Sequence, residues 1–253
     1  MKGRIIGIVS GKGGVGKTTV ALNLAMALND FGKSTIVVDA DLTMCGASLQ
    51  LGLYNSQLNL NEALINDINI LDTIYIHKSG IKIIPSSFFI EPSSYISLSK
   101  IFSNLEIEDN LLIDSPPGVD ENAVEVLKAC EEVIIVVTPD IQSVSSGLKV
   151  SNLAENLGIK QTGVIVNKYS KNIKNQLTAN EIGEVFGLPV LGVIEEDELI
   201  RKSVNERVPA FYLNPNSKNS LTFKEIAAKI LEIPYERKVS IFDKFISLFT
   251  KLS

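Results

Sequence analysis

The chain is 253 residues long, with 45% apolar residues, 21% charged residues and a net charge of −5. That balance excludes a disordered protein, and a chain of this length buries a core that needs no disulfide staple. The acidic charge argues against a chain-wide basic surface for nucleic acid, and the longest aliphatic run, residues 133–137, is far short of the roughly 20 residues of a membrane-spanning helix. Residues 1–9 begin like a secretory leader, but Gly7 interrupts the apolar stretch, so the chain reads as cytoplasmic. Cys45 and Cys130 lie too far apart in sequence for a CxxC site.

Short β-branched runs at 5–9, 35–39, 81–84, 111–114, 133–138, 162–167 and 190–194 alternate with helix-period segments. The runs are mostly continuous and not alternating, as expected of strands buried on both faces of a parallel sheet. In the first helical segment Val20, Leu24, Leu28 and Phe31 share a face, and Gly32 is placed to end it. Residues 86–109, richer in Ser and Glu, read as surface connections. The expected fold is α/β: one P-loop NTPase domain, 1–233, with a mostly parallel, doubly wound sheet, followed by a linker and amphipathic helix, 234–253.

The chemistry starts after the first run. Gly11-Lys12-Gly13-Gly14-Val15-Gly16-Lys17-Thr18 matches G-x-x-x-x-G-K-[ST] between a predicted strand and a predicted helix. Its glycines allow backbone N–H groups to curl around an anion at the positive end of the helix. Lys17 is placed to reach the β- and γ-phosphates and Thr18 to ligate Mg²⁺. Two later strands end in acids: Asp39 and Asp41 on one, Asp114 on the other. Strand ends of a parallel sheet converge on the crevice that holds the phosphate loop. Asp114 is therefore the candidate for a Mg²⁺-bound water, with Asp39 either beside it or in structural support. Turn or cap roles remain open for all three acids.

Lys12-Gly13-Gly14-Val15-Gly16-Lys17-Thr18-Thr19 matches KGGxGKT[ST] in full, and on it the chain resembles the deviant Walker A ATPases of the MinD/ParA family. The resemblance implies an ATP- and Mg²⁺-dependent ATPase that forms a homodimer around ATP, with Lys12 crossing to the partner's nucleotide. Residues 11–19 would all take part in the phosphate site. Val38-Asp39-Ala40-Asp41 is similar to the family's first switch, with Asp41 orienting the attacking water. Asp114-Ser115-Pro116-Pro117-Gly118 is similar to the second. Asn167 would contact the base. Ser170 stands where a guanine-reading acid would be in N-K-x-D, which favours ATP over GTP. Glu196 and Asp197 resemble the family's P-E-D loop near base and ribose, although Glu195 replaces its proline, and both acids equally suit a helix N-terminus.

Placed on a helical wheel, Ile241, Phe242, Phe245, Ile246, Leu248, Phe249 and Leu252 fall within an arc of about 160°. Arg237, Lys238, Lys244 and Lys251 against Asp243 alone leave residues 237–253 at +3. A basic, Phe-rich amphipathic helix suits an anionic membrane surface, while a helix packed on the body and a coiled dimer seam are the alternatives. The segment, 238–252, resembles the family's membrane-targeting helix, and residues 60–85 resemble its archaeal branch. The implied protein moves reversibly between cytoplasm and the inner face of the cell membrane, responding to an activator and carrying a cargo protein. Two other readings stand beside it: a ParA-like DNA-segregation ATPase and a nucleotide-gated scaffold of low turnover. Iron–sulfur relatives are disfavoured because no suitably spaced cysteine pair exists. His77 and Cys45 are assigned no chemistry.

Overall fold

The computed structural model describes residues 3–66, 68–87, 98–103, 105 and 107–237. In chain order the elements are β1 (Ile5–Val9), α1 (Lys17–Asp30), β2 (Thr35–Asp39), α2 (Gly46–Leu51), α3 (Leu60–Asn66), a 3-10 turn (Ile70–Thr73), β3 (Tyr75–Ile76), β4 (Lys82–Ile84), α4 (Leu98–Ser103), β5 (Asn110–Asp114), α5 (Glu121–Ala129), β6 (Glu132–Val137), α6 (Ile141–Asn156), β7 (Lys160–Tyr169), α7 (Ala179–Phe186), β8 (Val190–Glu195), α8 (Glu198–Asn205), α9 (Ala210–Leu213) and α10 (Lys218–Leu231). They build an eight-stranded sheet of order β3-β4-β2-β5-β1-β6-β7-β8. Every pairing is parallel except β3 on β4.

The continuous apolar runs have the expected cause. Successive side chains of a strand point to opposite faces, so Val133, Ile135 and Val137 join one core and Ile134 and Val136 the other. α1 and α10 cover the second face; α4, α5, α6 and α7 cover the first. α1 stops where Gly32, at φ 73°, lets the N–H groups of Gly32 and Lys33 bond back to Asn29 O and Leu28 O. Most later helices begin on a side-chain cap: Asp120 for α5, Asp140 for α6, Thr178 for α7, Asp197 for α8 and Ser217 for α10. α1 begins on Gly16 with no side-chain cap.

Three details depart from the sequence reading. β3 is an antiparallel edge strand of two residues, too short for any periodicity to announce it. β7 runs from 160 to 169, longer at both ends than expected. The stretch read as surface connection holds α4, whose Phe102 is fully buried. Among the described residues no helix is long and apolar enough to cross a membrane. The amphipathic segment 238–252 lies outside the described residues.

Candidate nucleotide site

The order of strands sets the site. β1 sits mid-sheet between β5 and β6, so the loop after it opens into the crevice at the strands' C-terminal ends, where Asp39 of β2 and Asp114 of β5 also arrive. Gly16, at φ 92°, takes the left-handed turn that feeds α1. A Cβ on it would lie 2.3 Å from Asn167 Nδ2, so glycine is required there by space as well.

The loop's carbonyls are tied from outside. Ser10 Oγ donates to Lys12 O at 2.8 Å, Asn167 Nδ2 to Val15 O at 2.7 Å and Lys168 Nζ to Gly14 O at 2.6 Å. The first turn of α1 carries no acidic side chain. Carbonyls turned outward and an uncapped helix start leave N–H groups for an anion, which is the chemistry of a phosphate cradle.

Lys17 is buried at the mouth of α1. Burial lowers its amine below the ordinary lysine range, while the charges of Asp114 and Asp41 oppose that shift. Thr18 Oγ1 donates to Asp114 Oδ2 at 2.7 Å. Asp39 and Asp114 are register partners on adjacent strands, both buried. Burial, then the Asp39 charge, pushes Asp114 up to about 7; its bond from Thr18 and the charge of Lys17 oppose this. Burial likewise raises Asp39 to about 6, although Ser48 donates to its Oδ2 through N–H at 2.8 Å and Oγ at 2.6 Å.

Asp39 Oδ1 and Asp114 Oδ1 are buried without a hydrogen-bond partner among the described residues. These two oxygens, on register partners of which Asp114 also bonds the Thr18 hydroxyl, form a hard-oxygen donor set that suits Mg²⁺, which takes one or two carboxylates and keeps its other positions for water and phosphate. Gly46, first residue of α2, closes this corner: a Cβ there would meet Thr18 Oγ1 at 2.7 Å and Asp114 Oδ2 at 3.7 Å.

Asp41 anchors the loop after β2. Its Oδ1 accepts from Thr43 N at 3.2 Å, Thr43 Oγ1 at 2.7 Å and Met44 N at 3.1 Å. Lys12 lies exposed at the lip of the cradle, its ammonium 3.4 Å from Gln142 Oε1 at the start of α6. Asn167 is buried against the phosphate loop. Glu196 and Asp197 reach the same sheet edge one strand further out. Glu196 pairs with Arg201 at 3.2 Å, and Asp197 Oδ1 caps α8 by accepting from Leu199 N at 2.9 Å. Thus residues 11–19, Asp39, Asp41, Asp114 and Asn167 converge, while Glu196 is paired with Arg201 and Asp197 is held by Leu199 N and by Asn219 Nδ2 of α10.

Sequence reasoning missed Lys168, Gly46 and Ser48. Lys168 could have been found, because the Asn-Lys doublet at a strand end was visible. Gly46 and Ser48 could not, since their roles are contacts made across the fold.

Three comparisons bear on this arrangement. The ParA family, described as NUBPL iron-transfer P-loop NTPase, matches residues 2–231. An uncharacterized ATP-binding protein of Methanocaldococcus jannaschii is 35% identical over 95% of this chain and 94% of its own. The crystal structure of the cell division ATPase MinD of Pyrococcus furiosus superposes with a TM-score of 0.83 at 33% identity, over 91% of this chain and 99% of that one. The septum site-determining protein MinD of Pyrococcus horikoshii, complexed with Mg-ADP, gives 0.82 at 33% identity, over 90% and 95%.

Proposed function

The chain belongs to the ParA family of P-loop NTPases, and from that premise we propose that it is a MinD-type ATPase that positions partner proteins from a membrane surface. The observation that carries the reading is the Thr18–Asp114 pair beneath the phosphate loop, with an unpartnered Asp114 oxygen beside it. Thr18 and Asp114, with Asp39 behind them, would hold Mg²⁺, which would neutralise charge on the phosphate oxygens. The N–H groups of residues 13–18 bind and orient the ATP phosphates, and Lys17 adds its ammonium. Asp41, fixed through Oδ1 by Thr43 and Met44, orients the attacking water with its other oxygen. Asn167 holds the loop at Val15 and would contact the base from there. Glu196 and Asp197, at the end of the next strand, would lie near base and ribose.

Lys12 is exposed and lies outside its own cradle, which supports its reaching across a homodimer to the partner's nucleotide. Two copies of the segment 238–252 on one ATP-bound dimer would then grip anionic lipid together, the second contact being intramolecular and worth about 10²–10⁴ in avidity. Hydrolysis, stimulated by an activator, would separate the pair. Iron transfer is a poor fit, since Cys45 and Cys130 are each buried as free thiols.

Light scattering after size exclusion tests the dimer. An Asp41→Ala chain, bound to ATP but slow to hydrolyse it, is expected to run as a dimer with ATP and as a monomer with ADP. Adding Lys12→Ala should abolish the dimer and spare nucleotide binding. A Lys12→Ala dimer of undiminished stability would remove Lys12 from the interface, and absence of phosphate release by the wild-type chain with Mg²⁺, lipid and ATP would defeat the ATPase reading.

A further inference from the structure

Among the described residues β8 is the outermost strand on its side of the sheet. The N–H and C=O of one strand residue point to the same side of the ladder, and those of the next residue to the other. Glu196 N–H donates inward, to Tyr169 O of β7 at 2.8 Å. The two backbone groups of Glu195 therefore face outward, away from the sheet. The buried side chain of Asn219, second residue of α10, meets both of them. Its Oδ1 accepts from Glu195 N at 3.0 Å and its Nδ2 donates to Glu195 O at 2.9 Å. One side-chain amide thus makes the pair of bonds that a further strand would make, at the last residue before the loop that carries Glu196 and Asp197. Nδ2 also lies 3.4 Å from Asp197 Oδ2.

Glu195 is where this chain departs from the P-E-D pattern. A proline has no N–H, and on the outward side of an edge strand it would forfeit no ladder bond. Glutamate does carry an N–H, and Asn219 is its partner. The carboxylate of Glu195 is held as well: its Oε1 lies 2.5 Å from Lys218 Nζ of α10 and 3.6 Å from Lys171 Nζ of the loop after β7. What a proline ring would fix through its own dihedral angle is fixed here by bonds from α10. On its inner side the same loop abuts β7, whose Asn167 and Lys168 tie down the phosphate loop.

We propose that Asn219 is a positioning residue for the nucleoside half of ATP, acting through residues 195–197 and not on the ligand itself. This rests on the reading of Glu196 and Asp197 given above. The amide has one orientation that satisfies both backbone groups of Glu195, so it registers the loop against α10 while Tyr169 registers it against β7. Without the amide, a donor and an acceptor beside a buried site lose their partners, and the loop shifts to find others.

Asn219→Ala tests this. Alanine costs no helix propensity in the first turn of α10, so the variant should fold and melt within about 4 °C of the wild type. In calorimetry with Mg²⁺, its affinity for ADP should fall about five-fold, the worth of roughly one hydrogen bond. Its affinity for inorganic pyrophosphate, which has no nucleoside, should stay within about two-fold of the wild type. Glu195→Pro supplies a second measurement. With no N–H at 195 to satisfy, Asn219→Ala should cost about two-fold in ADP affinity in that background, a non-additive result. Wild-type ADP affinity in Asn219→Ala, or equal losses for ADP and pyrophosphate, would overturn the assignment and leave Asn219 as a cap on the sheet edge. An undiminished five-fold loss with proline at 195 would overturn it too. A wild-type chain that binds ADP no more tightly than pyrophosphate would instead remove the nucleoside role of Glu196 and Asp197, and the proposal with it.

Discussion

Asp114 rises to about 7 and Asp39 to about 6, chiefly through burial, against an ordinary 3.8. Unfolded, both would lose their protons near 3.8. Folded and without nucleotide, they keep them to about 6 and 7. Their contribution to stability is therefore full below the unfolded value and is lost as pH rises through that window. In melts without Mg²⁺ or nucleotide, Asp114→Asn should gain on the wild type as pH goes from about 5 to about 8, by roughly 2–4 °C for each kcal/mol of relieved charge. Its Mg²⁺-dependent hydrolysis should be lost. A gap that is constant with pH would contradict the assignment. Lys168 separates stability from function in another way. It holds φ 57°, which costs a non-glycine residue about 1–2 kcal/mol, and its Nζ donates to Gly14 O. Lys168→Gly should leave the fold as stable or up to about 1 kcal/mol more so, while ADP binding by calorimetry weakens about ten-fold, a charge-assisted hydrogen bond's worth. Equal losses in both would mean that Lys168 only supports the fold. Of these residues Lys17, Thr18 and Asp114 were legible in sequence, since motif and strand end place them. Lys168 stands in the visible Asn-Lys doublet, but its bond to Gly14 O was not legible, because the two residues lie 154 positions apart in the chain.

α2 shows how an element can matter to the site and yet leave no trace in the sequence. Six residues are too few to form a stable helix alone; contacts hold it. Gly46 abuts Thr18 and Asp114, Ser48 bonds Asp39, and the carbonyl of Leu51 bonds His77 in the β3–β4 turn. One short helix thus joins the corner proposed to hold Mg²⁺ to the edge of the sheet. Gly46→Ala would push a methyl to 2.7 Å from Thr18 Oγ1. Misplacing Thr18 in this way should cost about 10²-fold in kcat with a melting shift of only about 2–4 °C; wild-type kcat in this variant would show that the corner tolerates the displacement. By contrast α1 was readable in full, with its glycine start, apolar face and Gly32 stop, because each signal is carried by residues adjacent in the chain.

At the scale of the molecule, the strand order puts β1 between the half of the sheet that carries Asp39 and Asp114 and the half that carries Asn167 and Lys168. The phosphate loop is gripped from one side and supplied with carboxylates from the other. The last described residues turn back at Glu232 and set the Arg237 guanidinium on the carbonyl of Lys218, where α10 opens beside Glu195 of β8. The amino-acid sequence alone determined the alternation of strands and helices, the phosphate loop and the acids at strand ends. Those features are written in hydrophobic period, glycine freedom and neighbouring residues, which act over a few positions. Only the tertiary structure decided that Asp39 stands opposite Asp114, that Gly46 closes over Thr18 and that Asn167 and Lys168 tie down Gly14 and Val15. Such pairs are distant in the chain, and what selects them is the packing of whole elements on both faces of one twisted sheet.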